Sequence, residues 1–297
     1  MRVTQLETHR NLLTDLEKLN RDFADVNRQL SSTKKLNILS DSPFGSASLV
    51  DISEQALRLE TYRFNIIASA YQLNSAESAL NAVNNAFVSI HTLGMQAATE
   101  TLSSDSREAI VNEIKNIRDE LVARGNTQVD GRYLFAGSSN DKPPFELNNG
   151  VVEYKGNENI HSIPVGDGVE VVAGVSGSKA LGAVFDAVDS IIASIDNSIA
   201  GVGTLKQIGD ALGKFQKGMI ELGQARGQIG VSLSMVDRMS AMLDTRNGVL
   251  REQRSHIEDA NIAEVAVRIQ QLQTAIDAAL SSGGAVLRQS SLFDIVG

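Results

Sequence analysis

The chain has no cysteine and no tryptophan. The first absence excludes disulfides, thiolate metal ligands and thiol catalysis. The second belongs to a wider scarcity, since aromatic residues make up 4% of the 297. A chain this poor in aromatics suits long helices packed through Leu, Ile, Val and Ala. Proline is scarce too. There are four, all between Pro43 and Pro164, so the flanking chain can run as uninterrupted helix. No apolar run approaches the ~20 residues of a membrane span. Basic residues are in deficit, and the net charge is −9. That disfavours a nucleic-acid partner, which calls for a basic stripe, and it disfavours anionic membrane surfaces. Residues 1–11 are polar and lack the apolar centre of a signal peptide. The expectation is a cytoplasmic protein, or one exported without cleavage of a signal.

What the chain does have is apolar periodicity. Between residues 205 and 287, Leu222, Ile229, Val236, Leu243, Leu250 and Ile257 recur every seventh position. That register lets a helix keep one seam against a partner. After Ile257 it slips by one and continues as Val265, Ile269, Leu272, Ile276 and Ala279. The N-terminal segment carries a matching seam at Leu12, Leu16, Leu19, Phe23, Val26 and Leu30, spaced 4,3,4,3,4. A helix over 4–40 is on the order of 50 Å long. The seam is as narrow as a coiled coil's, although an ordinary amphipathic helix in a bundle is the competing reading. Two apolar seams at opposite ends of one chain are expected to pair with each other and with further copies. The ten candidate assembly residues are Leu12, Leu16, Leu19, Phe23, Val26, Leu30, Val265, Ile269, Leu272 and Ile276.

In chain order, Ser40-Asp41-Ser42-Pro43-Phe44-Gly45 breaks the first helix, with Asp41 or Ser42 able to cap the next and Pro43 in its first turn. Helix is expected over 46–101, with the seam Leu73, Ala76, Leu80, Val83, Phe87, Ile90. A third helix is capped by Ser104, carries Ile110, Ile114, Ile117 and Leu121, and stops at Arg124-Gly125. From Asp130 the character changes. Tyr133-Leu134-Phe135, Val151 to Tyr154, Ile160 to Val165 and Val169 to Val172 read as strands, and Asn148-Asn149-Gly150 reads as a hairpin turn. Helix returns over 182–200, followed by the turn Gly201-Val202-Gly203. The glycines at 209, 213, 218, 223, 227 and 230 imply close helix approach, softness, or a break in the helix.

The fold expectation is therefore mainly α: a long antiparallel coiled coil or bundle from both termini with a small β-rich insert. Residues 1–40 with 258–297 form the terminal coiled coil. Residues 41–129 with 205–257 form a helical bundle, and 130–204 form an outer β-rich insert with a short helix.

Catalytic patterns are missing. His9, His91, His161 and His256 stand apart, and no HExxH occurs. Ser31 with Lys34 and Ser176 with Lys179 satisfy a loose Ser-x-x-Lys spacing, the first at a polar helix end where both side chains face water. No phosphate-binding glycine loop is present. Glu258-Asp259 reads as a solvated pair. No enzyme activity, cofactor or metal is expected.

Several segments resemble the flagellin superfamily, and within it the hook–filament junction proteins. The most specific is Asp130-Gly131-Arg132-Tyr133-Leu134-Phe135-Ala136-Gly137 with the following Pro144-Phe145. Met1-Arg2-Val3-Thr4, Leu39-Ser40-Asp41-Ser42-Pro43, Ser106-Arg107-Glu108, Gly125-Asn126-Thr127, Glu258-Asp259-Ala260-Asn261 and Ser291-Leu292-Phe293-Asp294 also match. Ser42 and Asn261 depart from the family's aspartates while keeping capping chemistry. The resemblance implies an extracellular structural part of the bacterial flagellum, exported through its type III channel. The implied partners are further copies of the chain in a ring, another hook-associated junction protein on the hook side, flagellin on the filament side and an export chaperone. Two other expectations stand beside it: the filament flagellin itself, or a cytoplasmic coiled-coil scaffold or signalling protein.

Overall fold

The structure is a computed structural model that describes residues 2–38, 42–139 and 141–293. It is mainly α, with six helices and three two-stranded antiparallel ribbons among the described residues. Helices are α1 Arg2–Ser32, α2 Pro43–Ala97, α3 Ser104–Gly125, α4 Gly177–Ile199, α5 Leu205–Glu258 and α6 Ile262–Phe293. Strands are β1 Gln128–Val129, β2 Arg132–Tyr133, β3 Phe145–Asn148, β4 Val151–Tyr154, β5 Ser162–Gly166 and β6 Val169–Val172. Two compact units result. One joins Met1–Arg58 to Thr245–Gly297, and the other is Leu59–Asp244.

In the second unit the α2 seam does what its spacing requires. Leu73, Ala76, Leu80, Val83, Phe87 and Ile90 are all buried. So are Leu222, Ile229, Val236 and Leu243 of the α5 heptad. Phe87 stacks on Phe215 of α5 with ring centroids 4.5 Å apart, an arrangement worth about 0.5–1.5 kcal/mol beyond area burial. Val184, Val188, Ile191 and Ile195 of α4 and Ile114 and Leu121 of α3 are fully buried. Gly94 lets α2 approach α4 and α5, because an added Cβ there would lie 2.9 Å from Leu212.

The ribbons follow their turn residues. Asn149 and Gly150 have φ of +52° and +86°, as a two-residue type I′ hairpin requires, and they join β3 to β4 with Asn148 opposite Val151. Asp130 and Gly131 repeat that geometry between β1 and β2. Phe145 seats the β3–β4 hairpin on α4 through Phe185, with ring centroids 4.9 Å apart, and its cross-strand partner Tyr154 packs against it at 5.2 Å.

Local boundaries differ from expectation for identifiable reasons. Helix α1 ends at Ser32 rather than at residue 40, because Thr33 turns into positive φ (+57°). Its carbonyl and the Lys35 amide bond backbone groups at Ala260 and Glu258. Helix α2 covers Pro43–Ala97 rather than 46–101. Ser42 caps it by accepting from the Gly45 amide at 3.1 Å, as its side chain allows. The positions Leu39 to Asp41 of the expected break lie outside the described residues. The Arg107 guanidinium takes the Ala97 and Thr99 carbonyls at 3.0 and 2.8 Å and so closes the far end of α2. Ser103, not Ser104, caps α3. Leu134 and Phe135 are not strand. They turn inward, and the Phe135 carbonyl accepts from the Gly177 amide and the Tyr154 hydroxyl, both at 2.9 Å. Helix α4 starts at Gly177, five residues before expectation, and a Cβ there would meet that carbonyl at 2.7 Å. The glycines of α5 do not break it. Gly218 answers the close-approach reading, with Phe87 2.8 Å from where its Cβ would be. Lastly, the stretch 205–287 is two helices, parted at the register slip after Ile257.

Candidate assembly site

In the terminal unit α1 and α6 pack antiparallel. At one end Leu12 lies so close to Gly283 that an added Cβ would come 2.7 Å from its methyl carbon. At the other end Lys34 bridges Asp259 backbone to backbone. The seam residues run along this pair. Val26 and Val265 are buried at 5 and 6% exposure. Leu12, Leu16, Leu19, Phe23, Ile269, Leu272 and Ile276 are only half-buried, and Leu30 is 36% exposed. Two helices can shield only the line along which they touch, so the flanks of each seam residue stay wet. Outward positions add apolar surface: Leu13, Val267 and Leu280 are 60, 56 and 57% exposed.

A polar clasp holds the joint where α1 ends and α6 begins. The Lys35 amide donates to the Glu258 carbonyl at 2.7 Å, and the Ala260 amide donates to Thr33 at 2.9 Å. Glu258 receives the Lys34 ammonium on one oxygen and the Arg254 guanidinium on the other, the latter at 2.7 Å. Two readings of the sequence are corrected here. Glu258 is not solvated, its side chain being 12% exposed, and Lys34 is an ion-pair partner rather than a water-facing lysine. The Arg254/Glu258 spacing of four was visible in the sequence and could have signalled half of the clasp. Lys34, 224 residues away, could not. Asn261 then caps α6 through the Ala263 amide at 3.2 Å.

The Arg254 guanidinium chiefly, opposed by some burial and helped by Lys34, holds the Glu258 carboxyl below the ordinary 4.5. A depressed carboxylate stabilises the folded form above its unfolded pKa, and that contribution fades as pH falls through the folded value. Amide protection at Lys35 and Ala260 is therefore expected to decline below about pH 4.5, by an amount on the order of 1 kcal/mol given the exposure of both cations. Glu258→Gln flattens that dependence. An identical pH profile in wild type and variant contradicts the clasp.

Among the described residues no group of three or more His, Asp or Glu could hold a metal ion, and no helix is long and apolar enough to cross a membrane.

Long helices from the two ends of the chain thus pair through a seam that a single copy leaves half-covered. Residues 3–140 match the family described as the bacterial flagellin N-terminal helical region. Over 301 residues, 94% of each chain, the sequence is 22% identical to flagellar hook-associated protein 3 of Salmonella typhimurium. It is 25% identical to the protein of that name from Escherichia coli over 193 residues, 64% of this chain and 59% of that one. The fold is shared with a flagellar hook-associated protein of Vibrio parahaemolyticus, at TM-score 0.69 and 21% identity over 74% of this chain and all of that one. It is also shared with Bacillus cereus FlgL, at TM-score 0.60 and 22% identity over 69% and 99%. The chain is thus similar to flagellar hook-associated proteins along nearly its whole length, and its N-terminal part, residues 3–140, matches the flagellin N-terminal helical region.

Proposed function

We propose that this chain is a structural joint of the bacterial flagellum, linking hook to filament and assembling through α1 and α6. The observation that carries this is the seam between those helices, which a single chain leaves half-covered from Leu12 to Phe23 and from Ile269 to Ile276. Apolar surface of that kind marks an assembly site. Residues 1–40 and 258–297 line the inside of a tube of copies, residues 41–129 and 205–257 form the surrounding bundle, and 130–204 face outward. The neighbours are further copies, a second hook-associated protein towards the hook and flagellin towards the filament. The protein reaches that place by export, with a chaperone covering the C-terminal seam beforehand. It has no catalytic role. Similarity to hook-associated protein 3 along 94% of both chains favours the joint over the filament subunit.

Hydrogen exchange on the dilute free subunit tests this. The amides of α1 and α6 are expected to exchange freely, those of α2 to α5 between residues 59 and 244 slowly, and the terminal helices are expected to become protected on assembly. Strong protection of α1 and α6 in the lone subunit would sink the proposal. So would micrographs of labelled protein placing it anywhere but the far end of the hook.

A further inference from the structure

The terminal seam leaves two apolar faces of the Leu59–Asp244 unit unexplained. On α2, Phe64, Ile67 and Tyr71 are 72, 61 and 60% exposed, and their spacing of three and four makes them one stripe. The stripe lies roughly half a turn around the helix from Ile66 and Leu73, which α2 buries. On α5, Ile220, Val231 and Met242 are 52, 68 and 55% exposed. Steps of eleven residues return a helix to within about 20° of one direction, so these form a stripe as well. Gly227 lies within it, and a Cβ there would meet nothing within 4 Å. This stripe too is roughly half a turn from buried neighbours, Leu222 and Ile229.

The two helices run antiparallel. Glu77 of α2 pairs with Arg226 of α5 at 2.6 Å, and Phe87 stacks on Phe215. Each helix turns its buried side to the other, so the two stripes look outward on opposite sides of the pair. They cannot cover each other within one chain. They can cover each other between neighbouring copies.

We propose that the Phe64–Ile67–Tyr71 stripe of one copy docks on the Ile220–Val231–Met242 stripe of the next, as the lateral contact of a ring. The proposal rests on the reading of the chain as a ring-forming joint. Copies in a ring point the same way, so α2 of one meets α5 of the next antiparallel. The charges agree with that direction. Glu60 and Arg63 stand at the start of the α2 stripe, and Asp237 and Arg238 stand towards the end of the α5 stripe. Antiparallel packing brings Glu60 beside Arg238 and Arg63 beside Asp237. In the same register Ile67 falls on Val231, and the Tyr71 ring covers the flat surface at Gly227. Parallel packing would leave Glu60 and Arg63 opposite no charge. Unlike faces meeting head to tail are what lets a ring grow and close.

The absence of native cysteine makes the test direct. Full-length Ile67→Cys and Val231→Cys proteins are co-expressed in cells lacking the native copy. Their flagella are purified and mildly oxidised with copper–phenanthroline. The expected product is a disulfide-linked dimer containing one of each variant, with no dimer from either variant alone. Glu60→Arg and Arg238→Glu form the second arm. Each alone is expected to lower incorporation several-fold, and co-expression is expected to restore it, because alternating copies again set acid against base at every contact. Flagella that hold normal amounts of protein without the mixed dimer overturn the docking and leave the joint intact. A dimer from Ile67→Cys alone also overturns it, since like faces would then be meeting. Wild-type protein absent from the purified flagella overturns the joint itself.

Discussion

Leu19→Asp is expected to abolish assembly while leaving the Leu59–Asp244 unit folded. Leu19 sits at the centre of the α1 seam and is half-buried against α6 in a single chain. In the free subunit an aspartate there keeps its water, so the monomer tolerates it. In the proposed tube the same position would be enclosed by neighbouring helices, where a carboxylate without a partner must be desolvated or protonated. Such a burial costs several kcal/mol, and the penalty repeats in every copy of a ring. Ile269→Asp on α6 is expected to behave alike, because it occupies the matching half of the seam. The prediction has two readouts. Cells carrying either variant lose hook-attached filaments and shed flagellin into the medium. The purified variant keeps the wild-type melting temperature of its middle unit, whose core contains neither residue. Normal motility with Leu19→Asp would show that the seam stays wet in the assembly.

Much of this architecture was legible because it is local and periodic. The α2 seam from Leu73 to Ile90 named six core residues, and all six are buried. Asn149-Gly150 specified its hairpin because few residue pairs accept two successive positive φ angles. Even the break between α5 and α6 left a trace in the register slip after Ile257. What escaped is set at long range. Nothing near Ser32 says that α1 must stop there, because the backbone partners that draw the chain away lie at Glu258 and Ala260. The early start of α4 at Gly177 depends on the Phe135 carbonyl, brought there by a turn 42 residues upstream. The proposed assembly seam lies between these cases. Its residues are evident from spacing, but spacing cannot say how much of each a single chain covers.

Arg118→Met is expected to lower the stability of the middle unit by about 3–5 kcal/mol, the usual result of breaking a buried ion pair from one side. Sequence periodicity picked out Ile110, Ile114, Ile117 and Leu121 on α3, of which Ile114 and Leu121 are buried and Ile110 and Ile117 only half-buried, and it gave no sign that Arg118 joins the core. Its side chain is nonetheless 7% exposed. One guanidinium nitrogen donates to the Gly150 carbonyl at 2.9 Å and lies 4.0 Å from the Asp189 carboxylate of α4. The rest of the group holds Asp119. Asp189 in turn accepts from the Val152 amide at 2.9 Å, and its other oxygen is buried without a hydrogen bond. The cluster thus ties the β3–β4 hairpin to α3 and α4. Burial pushes the Asp189 carboxyl above its ordinary 3.8, against the Val152 amide and the Arg118 charge. Without Arg118 that opposition is lost and the charged form becomes costlier still. For a unit of this size the melting temperature should fall by roughly 6–20 °C at neutral pH. A raised carboxyl pKa weakens the fold above the ordinary value and spares it below, so the deficit should narrow as the solution is acidified. Arg118→Met with Asp189→Asn should recover most of the loss, because the amide oxygen still accepts from Val152 and no charge is stranded. A single variant that melts within a degree or two of wild type would mean that the guanidinium does not neutralise Asp189. A double variant no better than the single would place the loss in the Gly150 bond and the packing of the arginine stem.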